Sequence, residues 1–170
     1  MEIQIEPRST ELRKRVRCSI TGIEISRTFV EIARRNAELS GVELNVVQGN
    51  ACAMPFGDDS FDLVYCTSSF KNFDQPQRAL EEMRRVLKPG GKVWLSDLRR
   101  DVTDEGIRTL VDRAMGARGL TGLMMRSTFQ RFLRPRAYTS GQFSEMAGRA
   151  NLNTVDIRNN QMDFEALLEK

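Results

Sequence analysis

Four positions carry side chains suited to chemistry, each at the end of a run that reads as a β-strand. Glu24 closes the β-branched run Ser19–Glu24 (SITGIE). A carboxylate there can accept hydrogen bonds from both hydroxyls of a ribose. It is equally at home as a surface carboxylate near a helix N-terminus. Asn50 follows Leu44–Gln48 (LNVVQ) in the turn Gln48-Gly49-Asn50-Ala51. Its amide offers a donor and an acceptor, suited to an adenine edge, and the same residues also make an ordinary turn. Cys66-Thr67-Ser68-Ser69 ends the run Phe61–Cys66 (FDLVYC), where small polar residues leave room for a ligand or simply form a loop. Asp97 ends Lys92–Asp97 (KVWLSD) and either faces a site or closes a turn. Strand ends matter because open α/β sheets bind ligands outside the carboxyl ends of their strands.

What is missing narrows the chemistry. The 170 residues include no histidine. That removes Ser-His-Asp and Cys-His catalysis, HExxH zinc sites and any histidine general base. Cys18, Cys52 and Cys66 are widely spaced, without a CxxC, so neither a zinc site nor a disulfide framework is expected and a reducing cytoplasm is the natural home. No metal ligand set and no catalytic acid or base can be assigned. The start, MEIQIEPRSTELRKR, is charged, unlike a secretory signal, and no apolar run approaches a membrane span. The net charge of +3 is weak support for nucleic-acid binding. The expected partner is a small-molecule substrate, with neither membrane nor nucleic acid.

Strands alternating with helices must position these residues. Ser26 reads as an N-cap, with Phe29, Val30, Ala33 and Ala37 at helical spacing and Gly41 as the stop. Asp74 and Gln77 form a capping-box pattern ahead of the stripe Leu80, Met83 and Leu87, and Lys88-Pro89-Gly90-Gly91 ends that helix. A helix near Thr103–Met115 carries Ile107, Leu110, Val111 and Ala114 on one face. Residues 116–136 break the rhythm: Gly116, Gly119 and Gly122 weaken a helix, and five arginines between Arg118 and Arg136 lie without an acid among them. That stretch, with Phe129 and Phe132 interleaved, reads as a solvated lid or as a contact for an anionic substrate or RNA. A helix near Ser140–Ala150 and strands near Asn153–Arg158 and Met162–Leu168 complete the chain. Phe29, Met83, Trp94, Phe143 and Met146 are expected in the core, and Tyr138 in a packing role. Together these describe a single α/β domain over residues 1–170, its sheet mostly parallel with an antiparallel C-terminal edge.

The segments SITGIEIS, QGNACAMPFGDDSFDLVYC and ALEEMRRVLKPGGKVWLSD, in this order and spacing, resemble successive motifs of class I S-adenosylmethionine (SAM) dependent methyltransferases. The branch they look like includes ubiquinone and menaquinone C-methyltransferases and related small-molecule enzymes. The resemblance covers about residues 18–100, and 137–168 more loosely. It implies a Rossmann-like fold, SAM as cofactor and methyl transfer to a small-molecule acceptor. It also implies that Glu24 holds the ribose, Ile25 packs on the adenine, and Asn50 stands where an aspartate usually binds the adenine amino group. Ala51 then faces the adenine through its backbone N–H, and Cys66 and Thr67 lie beside the methionine moiety. Where many relatives carry a histidine in the segment corresponding to Ser68–Phe73, this chain has Phe70-Lys71. Residues 118–136 fall where insertions in this family shape substrate choice.

The N-terminus departs from the family pattern. Its first strand normally leads into a glycine-rich loop, yet no glycine precedes Gly22. The expectation is that the first strand and loop are missing or altered, with Thr10–Arg17 as the end of the following helix. Unpaired strand edges are costly, so the gap is expected to be filled by Met1–Glu6, closed by a second chain in a homo-oligomer, or removed by direct pairing of the flanking strands. Alternatives to an enzyme are a methyltransferase-like remnant that binds protein or nucleic acid, or an N-terminally truncated fragment.

Overall fold

The computed structural model describes residues 19–170. The chain falls into two compact units, Met1–Pro55 and Phe56–Lys170. The expectations for Met1–Glu6 and Thr10–Arg17 lie outside the described residues.

In the first unit, β1 (Thr21–Glu24) pairs in parallel with β2 (Asn45–Gln48), placing Glu24 opposite Gln48. Between them runs α1 (Arg27–Leu39). Ser26 caps it as expected, its hydroxyl accepting the Phe29 N–H. Gly41 ends it with φ +63°, as Val42 N–H returns to Ala37 O and Gly41 N–H to Glu38 O, the Schellman arrangement. Val30 and Ala33 pack with Val46 and Leu44. Phe29 does not join them and is 48% exposed. Successive helical residues lie about 100° apart, so of the neighbours Phe29 and Val30 only one can face the core squarely.

The second unit is built on a four-stranded sheet in the order β3 (Phe61–Thr67), β4 (Leu87–Leu98), β6 (Asp163–Glu169), β5 (Asn153–Asn159). β3 and β4 are parallel, and β6 runs antiparallel to both of its neighbours. Val93 and Leu95 of β4 and Phe164, Ala166 and Leu168 of β6 are buried. So are Ala79, Leu80, Met83 and Val86 of α2 (Pro76–Val86), and Phe143, Met146 and Ala147 on the helix Ser140–Arg149.

Several expectations need correction here. α2 begins at Pro76 with Gln75 as its cap residue, and no side chain makes the cap bond, so the Asp74–Gln77 box does not form. Proline is pre-organised for the first helical position, and this overrides the cap pattern. Leu87 belongs to β4, whose Lys88–Gly91 segment bulges out between the pairs Phe61↔Leu87 and Leu63↔Lys92. Trp94 leaves the core side of β4 and stacks on Tyr65, with ring centroids 4.8 Å apart, because strand residues alternate faces and Val93 and Leu95 occupy the buried one. Residues 119–136 are helical after all, while 116–118 connect without regular structure. α3 (Asp104–Thr109) continues through a wide turn, Leu110–Ala114. α4 (Gly119–Thr128) continues through Phe129–Leu133 into Arg134–Arg136. Met125 and Phe129 pack on the cluster Val102, Ile107 and Val111, and this burial offsets the glycine penalty. α5 (Ser140–Arg149) starts at a capping box of Thr139 and Gln142.

Among the described residues the strands form these two sheets, and direct pairing of β1 with β3 is not among their pairs.

Candidate functional site

The first unit gathers four of the expected cofactor residues at the carboxyl ends of one parallel strand pair. Glu24 is the last residue of β1 and only 1% exposed. The Ser26 N–H donates to its Oε1 at 2.8 Å, and Gly49 N–H donates to its backbone oxygen at 2.9 Å. The next residue, Ile25, is 56% exposed, an apolar surface beside a buried acid. Gly49 lets the turn after β2 close over β1: a Cβ there would lie 3.0 Å from both the Ile23 side chain and the Pro55 ring. Beyond it, the Cys52 N–H donates to Asn50 Oδ1 at 2.8 Å and the Ala53 N–H to Asn50 O. Asn50 is thus an exposed residue that forms the turn, the structural one of its two readings. Ala51 is buried against the turn.

In the second unit, Cys66 and Thr67 end β3 opposite Leu95 and Ser96. Cys66 is buried. Burial pushes its thiol up to about 12, helped by the negative charge of Asp97 and opposed by Lys71. The thiol is therefore neutral and is no nucleophile at ordinary pH. Ser68 follows with φ +53°.

Lys71 and Asp97 are the pair that sequence reasoning missed. Their side chains are 8% and 2% exposed, with Nζ 2.8 Å from Oδ1. Asp97 also accepts the Lys71 and Leu98 backbone N–H groups, and Lys71 Nζ donates to Ser68 O. Asp97 closes no turn: it lies within β4 opposite Phe164, and its carboxylate accepts the Lys71 N–H of the short helical turn Phe70–Asn72. Phe70 is fully buried among Phe73, Tyr138 and Phe143, which gives Tyr138 the expected packing role. Among the described residues no cluster of acids or cysteines could hold a metal ion.

The family is decided by a match over residues 8–95, just over half of the chain, to the model of the methyltransferase domain. The chain belongs to the class I SAM-dependent methyltransferases. One relative in that family is the demethylmenaquinone methyltransferase of Thermus thermophilus, 32% identical over 114 residues, a stretch covering 67% of this chain and 45% of that protein. Another is phthiotriol/phenolphthiotriol dimycocerosates methyltransferase 1 of Mycobacterium ulcerans, 32% identical over 124 residues, covering 68% and 45%. The chain spans less than half the length of these curated relatives. Among solved structures, a SAM-dependent methyltransferase from Aquifex aeolicus superposes with a TM-score of 0.67 over 89% of this chain and 68% of that one, at 15% identity. The 4+2 cyclase SpnF superposes with a TM-score of 0.73 over 96% and 70%, at 19% identity. Both establish the Rossmann-like fold and nothing finer.

Proposed function

We propose that residues 1–170 act as one methyltransferase domain that binds SAM and transfers its methyl group to a small-molecule acceptor of quinone-like chemistry. The observation that carries the reading is the buried carboxylate of Glu24 at the end of β1, beside the exposed Ile25. This donor set fits a nucleoside: an acid for a ribose diol, an apolar side chain for the face of a base, and an exposed amide at Asn50 for its edge. Ala51 contributes its backbone N–H beside the base. In the second unit, Cys66 and Thr67 are assigned to the methionine moiety. There a neutral, buried thiol offers a soft surface without competing for the methyl group.

When bound, SAM supplies a methyl group on a sulfonium, already an excellent leaving group. The chain's task is then to orient both reactants, which alone can supply much of the rate enhancement. Glu24 fixes the nucleoside, and its own position is fixed by the Ser26 N–H. The absence of histidine is compatible with such a reaction. The acceptor class rests on relatives named for demethylmenaquinone and for ubiquinone and menaquinone biosynthesis. No helix among the described residues is long and apolar enough to cross a membrane. We place the protein in a reducing cytoplasm because its cysteines follow no disulfide spacing. A homo-oligomer is part of the proposal, as one means of completing a sheet edge.

Isothermal titration of the folded chain with SAM and with its demethylated product tests this reading. Micromolar binding of both is expected, and no heat from a folded chain would overturn it.

A further inference from the structure

Residues 113–144 contain six arginines and no other charged residue. Since the whole chain has a net charge of +3, the remaining residues carry a net −3. The positive charge is therefore concentrated on one stretch that includes α4. Two of its arginines are neutralised locally, Arg126 by Asp112 at 2.8 Å and Arg134 by Asp104 at 2.6 Å. Arg118, Arg131 and Arg136 are exposed, and no ion pair engages them among the described residues.

α4 is apolar on both sides. Its inner side carries Met125, which packs on the Val102, Ile107 and Val111 cluster together with Phe129 from the turn that continues the helix. Its outer side presents Leu120, Leu123 and Met124, with Phe132 two turns further on, all between 60% and 73% exposed. A surface helix ordinarily turns polar residues outward, and a helix apolar all round is normally covered on all sides. Large exposed apolar patches mark contact surfaces. Arginines stand at both ends of this row, Arg118 before Leu120 and Arg131 and Arg136 around and beyond Phe132.

We infer that the outer face of α4 docks on an anionic lipid surface, lying in its plane. Leu120, Leu123, Met124 and Phe132 enter the headgroup–acyl boundary. Arg118, Arg131 and Arg136 meet the lipid phosphates. This combination of an apolar face with flanking cations is what an interfacial helix requires. A nucleic acid would satisfy the arginines but leave four large apolar side chains in water. Composition alone points to no membrane partner; the exposed face leads to a peripheral contact instead. The inference goes beyond the proposed methyl transfer and does not depend on it.

The test is flotation of the full chain with vesicles of phosphatidylcholine alone and of phosphatidylcholine with phosphatidylglycerol, with no cofactor present. Binding to the anionic vesicles should be about tenfold tighter or more and should weaken as salt rises. The triple variant Leu120→Gln, Leu123→Gln, Met124→Gln changes only exposed positions, and its fold is checked by circular dichroism. It should lose about tenfold or more of the vesicle affinity. Arg118→Gln with Arg131→Gln and Arg136→Gln should abolish the preference for anionic lipid. Absence of wild-type binding to anionic vesicles would overturn the inference. So would undiminished binding of the apolar triple variant, which would reduce the effect to charge adsorption. So would a wild-type dimer that the triple variant breaks while neither form floats. SAM titration of the same samples reports separately on the methyltransferase reading.

Discussion

Glu24 is where a single carboxylate, which accepts the Ser26 N–H within the chain, is proposed to accept a diol from outside it as well. Glu24→Ala should weaken SAM binding by about 1–3 kcal/mol, the cost of losing hydrogen bonds to a charged group. Calorimetry of this variant, with Glu24→Gln as the control for fold, checks the assignment, and unchanged affinity would remove Glu24 from the site. Lys71 and Asp97 make a different kind of claim. Removing one partner of a buried pair strands the other charge, so Lys71→Met should cost about 3–5 kcal/mol of stability. Adding Asp97→Asn removes that charge and keeps an acceptor for one of the Lys71 and Leu98 N–H groups, which bond different carboxylate oxygens, and should recover part of the loss in urea unfolding. Cys66 carries a pH signature. Its folded value near 12 lies above the ordinary 9.0, so the unfolded thiol ionises first. The folded state then binds more protons, and this group's contribution to stability is lost as pH rises from 9.0 toward 12. Mass spectrometry should find Cys66 unmodified by iodoacetamide in the native chain and modified once denaturant is added. Glu24, the last residue of β1, and Asn50 and Asp97, near the ends of β2 and β4, were legible because strand ends are legible. The Lys71–Asp97 bond was not, because it joins positions 26 apart that no periodicity links.

At the scale of elements, glycine offers a controlled comparison. Gly122 lies inside α4, and a Cβ there would fall 2.7 Å from the Ala117 backbone oxygen. Gly148 lies inside α5 with nothing within 4 Å of a built Cβ. Alanine is better than glycine in a helix by about 0.8–1 kcal/mol. Gly148→Ala should therefore raise the melting temperature, while Gly122→Ala should lower it, because backbone cannot step aside as a side-chain tip can. A rise in both variants would refute the close approach of α4 to Ala117. The same helices show what sequence punctuation reports. Ser26 and Gly41 bracket α1 because caps are local chemistry. α4 escaped because its glycines argue against a helix locally, and the packing of Met125 and Phe129 that holds it in place depends on residues elsewhere in the chain.

Across the whole molecule, the alternation of strands and helices was enough to give the fold class, and the closing antiparallel pair was visible in the last 18 residues. The order of those strands was not, since alternation does not tell which neighbour β6 will choose. It lies between β4 and β5, and hydrogen exchange should reflect that place. Val93, Leu95, Ala166 and Leu168, buried and paired in the sheet interior, should be the slowest amides of the second unit, and slower exchange in β5 would contradict this order. The same arrangement sets a timetable for biosynthesis. β4 ends at Leu98, and the strand that covers its open side begins 65 residues later at Asp163. At ribosomal speeds the nascent chain carries that bare hydrogen-bonding edge for about 3–13 seconds before its cover has even been polymerised. During that window it is a template for stray strands, so yield in the cell should respond to translation rate and to chaperones that shield growing chains.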